Sequence, residues 1–183
     1  MGRILVMMSG TTVSFYGLKV AIRYACMRTQ FGLSDGKKEC SLIDYQLHQH
    51  RLFPHLAKAM CGHVAASFIS GLWKSSGKKI FKPKNFRLAE IHAMVSCMKA
   101  QSTWDADKTL KECRECCGGF GFSHYSRIGE MKQFFDINQT WEGDNNILLQ
   151  QTGKFLLEIY RMKMMGKQKK ETLTCEWISL DAA

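Results

Sequence analysis

The stretch "TWEGDNNILLQQTGKFLLEIY", residues 140–160, joins a turn to a helix. Leu148, Thr152, Phe155, Leu156 and Ile159 recur on one face of a 3.6-residue period, and the spacing predicts a helix from about Gly143 to Met165 with that face inward. One carboxylate, Glu142, stands between a tryptophan and a glycine just ahead of it. The free N–H groups of a helix start stabilise negative charge, so a capping role would account for the acid by itself. A chemical role needs support from the rest of the chain.

Three further helices are expected upstream. Val13, Tyr16, Val20, Tyr24, Met27 and Phe31 follow at steps of 3, 4, 4, 3 and 4, one helix face ending near Gly32. A second helix is expected from about Ser41, where Ser41 and Asp44 resemble a capping box. Its inward face would be Leu52, Leu56, Ala59, Met60 and His63, with a kink at Pro54. A third, marked by Leu88, Ile91, Val95 and Met98, runs toward Cys116, where "GGFGF" breaks it. "GLSDGKKEC" and "KSSGKKIFKPKN" read as polar loops, and residues 123–139 as short irregular or helical structure. No strand-like alternation and no fixed repeat is present. The expectation is an all-α domain over 1–166, an antiparallel four-helix bundle, with a polar basic tail over 167–183 that is a candidate for disorder.

Composition narrows the function classes. The net charge of +10 suits acidic or phosphorylated partners, among them nucleic acid, nucleotide cofactors and CoA-type substrates. The lysines are scattered over loops and tail without a reader motif, which argues against nucleic acid. Eight cysteines in a chain of 183 residues, three of them crowded into "CRECC", do not read as a disulfide framework, so reduced thiols and an intracellular setting are expected. Cys113, Cys116 and Cys117 form a single C-x-x-C cluster, with His92 and His124 the nearest candidates to join it; without a second ligand pair no metal site is expected. His48, His50, His55 and His63 read as surface or packing residues. The first residues read as a native element, not a signal peptide, and Val6 stands where myristoylation wants Ser or Thr. No apolar stretch of about 18 residues is evident, so no membrane span is expected.

Four pieces occur in order: "RTQFG" at 28–32, "YQLHQHRLFPHLA" at 45–57, "CRECCGGFGFSHYSRIGE" at 113–130 and "TWEGDNN" at 140–146. Each alone has a bland reading: a helix-ending cation, a proline-bearing helix, a tight turn, a cap. Together, over about residues 1–165, they resemble the C-terminal helical domain of the acyl-CoA oxidases, the FAD enzymes of peroxisomal fatty-acid β-oxidation and cousins of the acyl-CoA dehydrogenases. "EGDNN" before "LLQQT" is closer to the oxidase branch than to the dehydrogenases.

The resemblance implies that Glu142 is the base that removes the α-proton of an acyl-CoA thioester. A hydride then passes to the flavin, a trans-2-enoyl-CoA forms, and molecular oxygen becomes hydrogen peroxide. It implies that the backbone N–H of Glu142 helps hold the thioester carbonyl, and that Trp141 walls the flavin or substrate site. Arg28 and Gln30 match positions that hold the pyrophosphate of a partner subunit's FAD, and Phe31 a packing or cofactor position. Gly118 and Gly119 match a glycine pair that approaches the adenosine part. Gly143, Asp144 and Asn146 match cofactor positions beside the base. Where the dehydrogenases place a glutamine this chain has Glu115, an acid poorly suited to a pyrophosphate neighbour.

The family's N-terminal helical domain, β-domain and last helical domain are not found here, and the chain ends in "DAA", not a Ser-Lys-Leu-type peroxisomal signal. The chain therefore reads as a fragment or short gene model, inactive alone, in a homodimer or a dimer with a full-length oxidase. Two alternatives share the residues: a dehydrogenase that reduces a carrier protein, and a non-catalytic helical module that dimerises with an oxidase.

Overall fold

The computed structural model describes residues 2–32, 38–76 and 86–166. The tail over 167–183 and much of the two polar loops lie outside them. Helix α1 spans Gly2–Met27, α2 Gln46–Ser76, α3 Phe86–Cys116, α4 Gly118–Phe122, α5 Ile128–Phe135 and α6 Asn145–Met164. Three 3-10 turns, Leu42–Asp44, His124–Ser126 and Asp136–Gln139, connect them.

The four long helices alternate in direction. The start of α1 meets the end of α2 and the start of α3 in a cluster of Ile4, Met7, Ala66, Ile69, Ile91 and Val95. The end of α1 meets the start of α2 and the end of α3 through Leu18, Ala21, Ala25, Leu52, Leu110 and Cys113. Helix α6 runs back along α3: Thr152 Oγ1 donates to the Ala93 carbonyl at 3.1 Å, and Phe155 packs on Phe86 with ring centroids 5.8 Å apart. The result is an all-α antiparallel bundle in which α3 touches every other long helix.

The inward face of α1 differs in part from the expected one: Val13, Val20 and Tyr24 are half-buried against the core. Tyr16, Met27 and Phe31 are exposed, while Met7, Gly10, Ser14, Gly17, Leu18, Ala21 and Ala25 are buried. Helix α1 approaches α3 too closely for large side chains. A Cβ on Gly10 would stand 2.9 Å from the Ser102 carbonyl oxygen, and one on Gly17 would stand 2.8 Å from Leu110 Cδ2. Small residues therefore make the seam, and the larger apolar ones move to its flanks. On α2 the same correction applies: Leu52, Ala59, Ala66 and Ile69 are buried, Leu56 is half-buried, and Met60 and His63 face outward.

Other local departures have clear causes. Ser41 caps only the 3-10 turn and makes no side-chain cap bond, so the expected capping box is absent and α2 begins at Gln46. Pro54 lies within α2, as expected. Helix α1 ends at Met27 because residues 29–30 pair antiparallel with 40–41, a two-residue ladder too short to leave an alternation pattern. Helix α1 is also long and apolar enough to span a membrane by length and composition, contrary to the sequence reading. Half of its apolar window is buried against neighbouring helices, as in a core helix.

Two glycine substitutions of opposite sign test the seam. Gly10→Ala should destabilise the chain by about 1–2 kcal/mol, because overpacking against backbone outweighs the gain in helix propensity. Gly71→Ala, mid-helix with nothing within 4 Å of the new Cβ, should stabilise it by about 0.5–1 kcal/mol. Urea denaturation midpoints measure both.

Candidate functional site

The turn before α6 is built from both sides of the bundle. Asp144, not Glu142, is the N-cap of α6: its Oδ1 accepts from Asn146 N at 2.9 Å and Ile147 N at 3.3 Å. Glu142 lies two residues further out, with φ of 58°, and Gly143 follows at 117°. A non-glycine residue in the left-handed region is strained, and something must hold it. Arg3 Nε donates to the Glu142 carbonyl at 2.8 Å, and Lys99 Nζ donates to the Gly143 carbonyl at 2.8 Å.

Lys99 is fully buried on α3. Its ammonium also donates to Asn145 Oδ1 at 2.9 Å, and Asn145 Nδ2 donates onward to Thr103 Oγ1 at 2.9 Å. Burial pushes the Lys99 pKa down and Arg3 adds to that, while the Asp144 and Glu142 carboxylates pull it up. Arg3 faces His92 Nε2 at 2.9 Å and Ser96 Oγ at 3.3 Å. The positive φ of Gly143 favours glycine, and a Cβ there would also displace the end of the Leu148 side chain, 2.9 Å away.

The Glu142 carboxyl group rests against the Gly2 backbone at the start of α1, in the space a side chain there would need. No acceptor among the described residues takes the Glu142 N–H. Trp141 is more than half exposed, its Nε1 donating to Asn138 Oδ1 at 2.9 Å. Asn146 is exposed.

The other expected residues gather at the far end of α1. Arg28 and Phe31 are exposed, and the Gln30 carbonyl accepts from Tyr45 Oη at 2.8 Å. Tyr24, one turn before Arg28, stacks on Phe120 with centroids 5.4 Å apart, which brings the glycine-rich turn to this end. Gly118 has φ of 55°, and a Cβ on it or on Gly119 would meet nothing within 4 Å. Gly121, by contrast, packs against the Arg114 carbonyl. Beside them Phe31, Leu42, Tyr45, Leu47, His48 and Arg51 line a cavity of about 240 Å³, and the buried His48 Nε2 has no partner among the described residues. The Glu115 carboxylate lies 3.5 Å from both the Arg51 and Arg114 guanidiniums, so its charge is offset locally.

Two sets of residues thus sit at opposite ends of a 26-residue helix, about 39 Å apart at 1.5 Å per residue. Three thiols at the end of α3, Cys113, Cys116 and Cys117, are buried in the core near the Arg28 end. Burial pushes the Cys113 pKa up to about 12 and those of Cys116 and Cys117 up to about 11, so they stay protonated. The described cysteines are free thiols, and the described residues contain no group of three or more metal-ligating side chains.

Sequence reasoning missed Arg3, Lys99, Asn145 and Thr103, and weighed His92 only as a metal candidate beside the cysteines. For Lys99 a signal existed: it interrupts the buried stripe Val95, Lys99, Thr103, Ala106, Leu110 of α3.

Residues 1–157 match the family model of the acyl-CoA oxidase C-alpha1 domain. The chain is 39% identical over 158 residues to acyl-coenzyme A oxidase 2, peroxisomal, of Arabidopsis thaliana, covering 86% of this chain and 22% of that protein. It is 35% identical over 148 residues to peroxisomal acyl-coenzyme A oxidase 1 of Mus musculus, covering 81% of this chain and 22% of the relative. Among solved structures, acyl-CoA oxidase-2 of Caenorhabditis elegans, bound with FAD, ascaroside-CoA and ATP, superposes with a TM-score of 0.90 at 27% identity, covering 98% of this chain and 27% of that one. The chain spans about a quarter of these proteins' length.

Burial first, and Arg3 second, hold the His92 pKa below its ordinary 6.5. His48 and His55 are lowered too, again chiefly by burial. The unfolded chain therefore binds more protons below about pH 6.5, and stability present above that pH is lost as pH falls through the folded pKa values. Denaturation midpoints should fall between about pH 7.5 and 5.5, and His92→Gln should lessen the slope.

Proposed function

From a chain that belongs to the acyl-CoA oxidase family, we propose the flavin-site half of an enzyme that converts acyl-CoA to trans-2-enoyl-CoA, with oxygen reduced to hydrogen peroxide. The observation that carries this reading is the Glu142 turn: strained, held by two cations, with an unpaired N–H beside a carboxylate. A base and a carbonyl-binding donor on one residue suit removal of an α-proton. The donor polarises the thioester carbonyl and the carboxylate takes the proton. Substrate entry would displace water and raise the proton affinity of the carboxylate.

The residues present fit FAD in two places. The exposed Arg28 guanidinium, the open backbone of Gly118 and Gly119, and the cavity beside Phe31 suit a pyrophosphate with its adenosine. Trp141 and the Glu142 turn suit the ring end. When bound, the flavin supplies the hydride acceptor. Its ribityl linker is a short run of carbon bonds, on the order of 10 Å, so one FAD does not reach from Arg28 to Glu142 along α1. This supports a flavin shared between two chains, each giving its Arg28 end to the other's Glu142 end, in a homodimer or with a full-length oxidase. The peroxisome is the setting proposed, since the relatives are named peroxisomal.

Because the chain spans a quarter of its relatives, a non-catalytic module that pairs with a longer oxidase is the second reading. The purified chain alone should bind FAD weakly and turn over nothing. A yellow protein that makes peroxide from an acyl-CoA would overturn that. In a flavin-loaded assembly, Glu142→Gln should abolish exchange of the substrate α-proton while flavin stays bound, and Arg28→Ala should weaken flavin binding about tenfold or more. Absorbance titration and deuterium exchange measure the two. Retained exchange in Glu142→Gln removes the base role and leaves the module.

A further inference from the structure

We propose that Lys99 is a positioning residue for Glu142: its buried ammonium fixes the peptide carbonyl that follows the base and so sets where the carboxylate points. The inference rests on reading Glu142 as the base.

Several observations converge on it. Lys99 has no exposed surface, and among the described residues no carboxylate lies within ion-pair distance of it. A cation buried without a partner acid is unfavourable, so it has to be offset by hydrogen bonds. Two of its N–H groups are accounted for, and both go to the turn: Gly143 O at 2.8 Å and Asn145 Oδ1 at 2.9 Å. Bonds with an ionised donor are the stronger kind. Arg3, from α1, holds the carbonyl of Glu142 itself at 2.8 Å. The carbonyls of Glu142 and Gly143 are therefore clamped by cations from two different helices.

The clamp acts on two positive φ angles in succession, 58° and 117°. Released from Lys99, Gly143 has many other conformations open to it, and Glu142 can relax to an ordinary φ. That rotation swings the carboxyl group away from Gly2. The α6 helix itself would survive, because Asp144 caps it independently. A residue that only filled core space would act otherwise: Lys99→Met keeps the chain length and the packing, and would leave the turn unchanged.

The test uses the 183-residue chain first. Lys99→Met, Lys99→Gln and Lys99→Arg are compared by NMR, reading the scalar coupling that reports φ at Glu142 and the amide exchange of residues 142–144. Lys99→Met should lose the left-handed coupling and speed exchange at the turn about tenfold or more, with α1 and α3 protection unchanged. Lys99→Arg, which keeps the cation, should restore most of both. An unchanged coupling in a folded Lys99→Met overturns the inference. If Lys99→Met does not fold, Lys99→Gln gives the same reading. Loss of the cooperative transition in both also overturns it, since Lys99 would then serve the whole fold.

In the flavin-loaded assembly, Lys99→Met should lower kcat on the order of a hundredfold with KM and flavin affinity held, as misplacement of a reacting group does. The two readings then fail separately. Abolished exchange in Glu142→Gln with full kcat in Lys99→Met removes the positioning role and keeps the base. A turn that relaxes in Lys99→Met while Glu142→Gln keeps its exchange leaves the clamp and removes the base.

Discussion

Everything in this bundle hangs on how closely α1 lies against α3. Gly10 against the Ser102 carbonyl and Gly17 against Leu110 fix the separation of the two axes and their register. That register brings Arg3 on α1 level with His92 and Ser96 on α3, with Lys99 about one turn beyond Ser96. The two cations then meet the turn before α6 from different directions. A side chain at Gly10 would push the helices apart before it touched anything chemical, yet the Glu142 turn would lose its clamp.

The electrostatics of the turn follow from the same geometry. Two cations and two carboxylates share one small region, and only Lys99 is fully buried. Water stabilises the exposed members, so the burden of burial falls on the lysine, which offsets it by charge-assisted bonds to peptide oxygens. At the far end of α1 the arrangement is the reverse: the backbone is bare at Gly118 and Gly119, Phe31 and Arg28 are exposed, and a polar nitrogen of His48 is left unmatched. At one end the cations are taken up by internal partners, and at the other the Arg28 guanidinium is exposed.

The amino-acid sequence made the helices legible because their apolar residues recur at helical spacing, and α3 and α6 were read with inward residues that are buried or half-buried. On α1 and α2 it was right in part: Val13, Val20, Tyr24, Leu52, Leu56 and Ala59 pack into the core, while Tyr16, Met27, Met60 and His63 are exposed, because small residues take the close seam. Met60 and Tyr16 are apolar enough for a core but too large for the seam, and Ala59 and Gly17 take it. The expected site residues were found as motifs, yet their division between two ends of one helix was not, because linear order says nothing of distance. The role of capping α6 was open to Glu142 on charge alone. Geometry gives it to Asp144, which leaves the carboxylate of Glu142 without a cap to make. Arg3 and Lys99 carry no motif and became visible only through their bonds.

The bond between Arg3 and Glu142 spans 139 positions of the chain. Contacts that distant form late, because a long loop must close before they give any return. During synthesis, α1 through α3 can collapse into a three-helix core while the turn has yet to be made. The Glu142 turn thus depends on a closure that draws together the two ends of the described chain.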